Sequence, residues 1–320
     1  MIATGGFTRR GWLLFGAMAL LWGVPYLLIS VAVETYSPPA VVAGRTLLAA
    51  ILLLPFAMRS GALRAAWKVW PWILLFGAVE MGGPFLLLGH AEQSLPSGLT
   101  GLLVATVPLF GAMIALSGGD RGVLRPTRMI GLLMGILGVG VVVAGPSLFG
   151  GEINLLATGE VLLVAVLYAI APFIIARKLR DVPSLGTITL ALFAVGMFYL
   201  PIALLVPSDP PTMESTLALV ALAIICTAVA FLVFFALIRE VGPVRAPLFT
   251  YLNPVVAIIL GALLLAEPLT PGLLIGFPLI ILGCWLAGTG GRLRPQAVDP
   301  VPTDTSAIAI ASDSSDAQAM

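Results

Sequence analysis

The sequence predicts an all-α polytopic membrane protein of ten transmembrane helices, arranged as two inverted five-helix repeats. Three observations carry that prediction. Of the 320 residues, 60% are hydrophobic and only 10% charged, against roughly 25% charged in a soluble domain, and the mean hydropathy is +1.11. Apolar windows of about 20 residues, the length needed to cross roughly 30 Å of hydrocarbon, can be placed ten times. Finally, a shift of 146 residues lays the second half of the chain on the first.

The first window, 12–33, follows Arg9 and Arg10 and imitates a signal peptide. It runs on past the 7–15 apolar residues of a cleaved h-region, so it is read as a retained helix. Further windows follow at 40–58, 70–89, 97–117, 129–146, 155–176, 184–206, 215–238, 246–266 and 271–290. The connections, such as "ETYSPP", "GPSLFGGE" and "PSDPPTMES", carry turn punctuation and leave no room for a soluble domain. The chain therefore divides into an N-terminus (1–11), a first repeat (12–146), a connecting loop (147–154), a second repeat (155–290) and a tail (291–320). The tail is small, polar and acidic without periodicity, and reads as disordered.

Charge placement sets the orientation. With both termini cytoplasmic, 15 of the 16 Lys and Arg residues fall on the cytoplasmic side, Arg45 being the exception. The expected location is the cell inner (cytoplasmic) membrane, multi-pass, with the lipid bilayer as the surrounding partner. Trp67, Trp70 and Trp72 beside Lys68 read as an interfacial anchor. A net charge of +1 gives no basis for nucleic-acid binding. Cys226 and Cys284 lie in apolar runs and read as small hydrophobes.

At the 146-residue shift, Trp22-Gly23 falls on Tyr168-Ala169, Leu54-Pro55 on Leu200-Pro201, and Pro108 on Pro254. Near the ends the shift is 145, which sets Gly131 and Gly138 on Gly276 and Gly283. Five spans per unit is an odd number, so the second unit enters from the opposite face, the construction that lets a carrier rock one half against the other around a midplane site. Pro108 and Pro254 are expected to break the fourth and ninth spans at matching depth. In "LFTYLNPVVAIILG" the proline should kink the helix and free the carbonyl of Thr250.

Residues 12–290 resemble the EamA-type branch of the drug/metabolite transporter superfamily. "LLWGVPYLLI" is similar to its first-helix motif, "VVAGRTLLAAILLLP" to its second-helix arginine motif, and "PSGLTGLLVATVPLFGAMIA" and "GPVRAPLFTYLNPVVAIILGALLLAEPLT" to the signature ends of its two repeats. The first repeat departs from the pattern, with "SGGDRGVL" where the family places a Gly-Glu pair. The resemblance implies a ten-helix carrier of small metabolites, and points to export of amino acids or related compounds.

Ionisable groups inside a membrane are costly and are functional candidates by default. Glu80 sits mid-span before Met81-Gly82-Gly83-Pro84; Arg45 and Glu160 lie nearer the outer ends of the second and sixth spans. Arg45 pairing with Glu160 or Glu80 as a structural ion pair, and either charge acting in substrate or proton binding, both remain open. Trp22 and Tyr26, one turn apart, share a face. With Tyr168, Tyr251 and Asn253 they offer apolar walls and a few polar groups, the usual chemistry of a small-molecule site. His90, beside Glu92 and Gln93, reads as a solvated loop residue.

The expected function is secondary transport of a small-molecule substrate by alternating access, driven by proton coupling or exchange, because no Walker motif is present. No cofactor or metal is expected. A membrane-embedded enzyme or a non-transporting scaffold is the competing class. An enzyme would need paired histidines, a Ser/Lys pair or intramembrane aspartates, and the chain has one histidine and no aspartate within a span.

Overall fold

The computed structural model describes residues 8–119, 121–148, 154–242 and 245–289. The tail at 291–320, and most of the connection at 147–154, lie outside the described residues. Ten helices are long and apolar enough to cross a membrane: Arg9–Ala32, Pro38–Arg59, Trp70–Ala91, Ser97–Ser117, Pro126–Ala144, Leu155–Leu179, Ser184–Leu205, Met213–Val241, Ala246–Leu264 and Pro271–Thr289. Large apolar side chains such as Leu137, Leu204 and Leu263 point outward, as a lipid-facing surface requires.

Packing follows a two-fold logic. The second span packs on the seventh, the fourth on the ninth and the fifth on the tenth; the first packs on the eighth as the third packs on the sixth. Counterparts run antiparallel. Gly186, at the start of the seventh span, meets Ala62 just beyond the second, while Gly196 meets Leu47. Gly131 faces Leu286 and Gly276 faces Val142 across the fifth and tenth spans. The two halves are thus inverted relative to each other.

Both proline-marked spans are interrupted, but not as kinks. The fourth divides into Ser97–Val104 and Val107–Ser117, and the ninth into a tight turn of 3-10 helix, Ala246–Tyr251, followed by Asn253–Leu264. Pro108 and Pro254 each occupy the first turn of a new helix. A backbone donor is not needed there, so each proline starts a helix instead of bending one. The first span is similarly broken at Val24, with Pro25 opening its second piece.

A second matched irregularity was not foreseen. The third span loosens into a π-turn at Ala78–Gly82 and the eighth at Ile224–Val229, so the two turns begin 146 residues apart. Such bulges release backbone carbonyls and mark functional positions in many helices.

The two faces of the bundle differ. At the face remote from the described terminal residues, called here the far face, the halves are tied by many polar contacts. The Asp209 N–H donates to the Thr35 carbonyl (2.8 Å), the Ser37 N–H to Ser208 (2.9 Å), Ser215 to the Val31 carbonyl (2.9 Å) and Asn154 to Ser94 (2.9 Å). At the terminal face, the described hydrogen bonds and ion pairs between side chains of the two halves include those of Thr8 (2.6 Å) and Arg10 (3.9 Å) with Glu240. Trp67 and Trp70 are exposed at that same face, and the Lys178 ammonium lies 4.4 Å from the Trp72 ring.

Candidate functional site

Between the halves lies a cavity of about 250 Å3, lined by the first, second, third, fourth, sixth, eighth and ninth spans. That volume sits just below the roughly 300–1,000 Å3 typical of ligand pockets, which favours a small metabolite over a bulky one. The matched interruptions border it: Ala105, Val107 and Pro108 from one half, and Thr250, Asn253 and Pro254 from the other.

The π-turns supply the cavity's polar chemistry. In the eighth span the turn brings Thr227 round to donate to the freed Leu222 carbonyl (2.8 Å). Its hydroxyl oxygen then accepts from Arg45 Nε (2.9 Å), which crosses from the other repeat. The guanidinium carbon lies over the Phe85 ring, 3.9 Å from its centroid, a cation–π contact that is strongest when desolvated. Nε and one face of the group are therefore fixed. The terminal nitrogens make no hydrogen bond among the described residues, and Arg45 borders the cavity. Neither structural pairing open to Arg45 occurs: Glu160 binds His90 at 2.8 Å on the far face instead, and Glu80 makes no ion pair among the described residues.

Glu80 rides on the third-span π-turn and also lines the cavity. Its repeat counterpart, 146 residues on, is Cys226, so only one half contributes a carboxylate. Tyr168 stands close enough to feel both the Arg45 and the Glu80 charge. The chamber thus holds one fixed cation and one carboxylate between apolar walls.

The remaining candidates divide. Trp22 forms part of the wall and packs on Phe231, Phe234 and Phe249 at centroid distances of 5.8, 5.0 and 5.4 Å. Tyr26 and Tyr168 also line the cavity. The Asn253 side-chain oxygen is buried there without a hydrogen-bond partner among the described residues, and an unsatisfied buried acceptor costs about 1–3 kcal/mol. Tyr251 does not border this cavity: its hydroxyl is directed to the Cys284 carbonyl of the tenth span (3.4 Å). His90 is half-exposed at the end of the third span with its Nδ1 2.8 Å from Glu160 Oε2, so it is not a free loop residue.

Sequence reasoning missed Thr227, Phe85, Glu92 and Glu267. Thr227 had a signal, since it falls in the half-turn that the repeat shift aligns with Glu80. Glu267 had one too, within "AEPLT". Phe85 and Glu92 had none, being an ordinary apolar residue and an apparent loop acid.

The EamA-like transporter family model matches the chain twice, over residues 9–144 and 157–289. The chain belongs to the EamA-like transporter family. The two matches fall on the two inverted halves. The inner membrane transporter "YedA" of Escherichia coli (strain K12) is 29% identical over 92% of this chain and 97% of its own length. The transporter "YvbV" of Bacillus subtilis (strain 168) is 29% identical over 89% and 93%. A probable terminal-alkyne amino-acid exporter of Streptantibioticus cattleyicolor is 25% identical over 85% and 92%. One solved crystal structure shares the fold at a TM-score of 0.62, with 23% identity over 88% of this chain and 97% of that one. The protein is a multi-pass membrane transporter, and family and relatives alike point away from an enzyme.

Proposed function

We propose that this EamA-like transporter exports an amino acid or a closely related zwitterion by alternating access. The observation that carries the reading is the pairing of Arg45 and Glu80 in one apolar cavity. A substrate carboxylate would take the two free nitrogens of Arg45, the bidentate geometry that guanidinium favours. Its ammonium would take Glu80, displacing a proton that returns when the substrate leaves. The side chain would rest on Trp22 and Tyr26, and the Asn253 amide would satisfy a polar atom. The relative named as an amino-acid exporter supports this chemistry.

The positive-inside bias of the sequence supports cytoplasmic termini. The tied far face is then external, and the cavity is poised to take substrate from the cytoplasm. Cysteines replacing exposed Asp209 and Ser60 test that orientation. An impermeant maleimide should label the first on intact cells and the second only after permeabilisation; the reverse pattern would sink it.

Counterflow from proteoliposomes tests the substrate class. Amino acids should exchange saturably, while the matching carboxamides and decarboxylated amines should not. Glu80→Gln should abolish proton release on substrate binding and leave the protein folded. Amines that exchange as well as amino acids would remove Arg45 from substrate recognition. Flux absent for every solute would return the chain to a scaffold role.

A further inference from the structure

The far face holds a carboxylate that neither the cavity nor the lattice of polar ties accounts for. Glu92 follows directly on the third span, where a loop acid would normally meet water. It is instead only 5% exposed, and both its carboxylate oxygens are buried without a hydrogen-bond partner. The groups facing it come from three other elements. Tyr26 and the backbone of Ser30 approach from the first span, Arg45 from the second, and Glu267 from the segment after the ninth. No hydrogen bond reaches the Glu92 oxygens from Ser30, and Arg45, whose Nε is held by Thr227, makes no ion pair with Glu92 among the described residues.

Glu267 is committed as well. Its two oxygens accept the backbone N–H groups of Ser97 (2.7 Å) and Gly98 (3.0 Å), at the start of the fourth span. That contact fastens the connection between the ninth and tenth spans to the start of the fourth. The geometry suits an anion, being charge-assisted and at a helix N-terminus. Glycines leave the space: a Cβ on Gly261 would strike the Glu267 carboxylate. A second ionised carboxylate beside it, buried and unpartnered, would face both desolvation and like-charge repulsion.

We propose that Glu92 is a proton-binding site that locks the far face: the face closes over a protonated Glu92 and opens when that proton is lost. Burial first, and then the neighbouring Glu267 charge, push the Glu92 carboxyl well above the usual carboxylate range, against a smaller opposing pull from Arg45. When the face opens and water enters, the group returns toward an exposed value of about 4.3. The closed form therefore binds the proton more tightly. Its advantage is complete below the exposed value and is lost as pH rises through the interval up to the raised one. Within that interval each pH unit shifts the closed-to-open ratio by up to tenfold. An acidic exterior would thus favour closure of the outer face and return of the empty carrier to the cytoplasmic side. This holds whatever the carrier moves.

The test reads conformation without substrate. Spin labels on cysteines replacing exposed Gln93 and Pro210, in full-length protein with Cys226 and Cys284 replaced by alanine, report the far-face separation by pulsed electron resonance. The closed population should fall as pH rises above the exposed carboxylate value of about 4.3, by up to tenfold per unit. Glu92→Gln, a permanent mimic of the protonated acid, should stay closed and flatten the profile. Glu92→Asp should keep a titration and guard against a folding defect. His90→Gln should leave the profile intact. A profile that survives Glu92→Gln, or one that disappears in His90→Gln, overturns the proposal, as does a separation independent of pH in the parent.

Discussion

Replacing Arg45 by glutamine should weaken substrate affinity about 100-fold, close to the loss of all measurable counterflow. Removing one partner of a buried, hydrogen-bonded charge pair costs about 2–5 kcal/mol, and 100-fold corresponds to about 2.7 kcal/mol. The residue is well placed for an effect of that size. Thr227 holds Nε and Phe85 holds the face, so little orienting entropy remains to be lost when a carboxylate arrives. Lysine should recover charge but not the fork, and regain only part of the affinity. Thr227→Val should loosen the guanidinium and give a smaller loss, on the order of tenfold. The control is a substrate lacking the carboxylate, whose weak binding should not fall further in Arg45→Gln. If the variant binds the amino acid as well as the parent does, the cavity recognises its substrate without this arginine, and Arg45 only joins the second span to the eighth.

The fold was legible because lipid leaves few options. A chain with so many apolar windows must span as helices to satisfy its own backbone, and an odd number per repeat forces inversion. The breaks were legible as positions, since Pro108 and Pro254 coincide under the repeat shift. Their form was not. A proline in an apolar run reads equally as a kink or as the first turn of a new helix, and only tertiary packing decides, here through the 3-10 turn ahead of Asn253. The same turn carried Tyr251 off the cavity wall, because a 3-10 segment rotates successive side chains differently from an α-helix.

The π-turns explain most of what the sequence concealed at the site. An inserted residue in a helix leaves no compositional trace, yet it turned Thr227 toward Arg45 and released the Leu222 carbonyl that orients it. Glu92 was concealed for a different reason. Its neighbours His90 and Gln93 mark a loop, and loops are ordinarily wet; here the ends of three other elements cover it. Glu80, by contrast, was legible from depth alone.

Leucine in place of Gly283 should be the most destabilising single substitution of those considered, with loss of the monodisperse detergent-solubilised protein. Helices in lipid gain little from apolar burial against each other and depend on close van der Waals approach between small residues. The fifth and tenth spans use Gly131, Gly135 and Gly138 against Gly276 and Gly283. A Cβ on Gly283 would lie 2.7 Å from the Gly135 Cα and 2.8 Å from the Gly131 carbonyl oxygen, which are backbone atoms that no rotamer change can move. Overpacking usually costs about 1–3 kcal/mol, and a clash with backbone belongs at the top of that range or above it. Gly140→Leu is the matched control, since a Cβ there meets nothing within 4 Å and the side chain faces outward; it should change stability by no more than about 0.5 kcal/mol. Neither span lines the cavity. The milder Gly283→Ala should accordingly lower the thermal midpoint while leaving substrate affinity at the parent value. Equal stability of the Gly283→Leu and Gly140→Leu proteins would show that the two spans can part without cost, and would remove this contact from what holds the halves together.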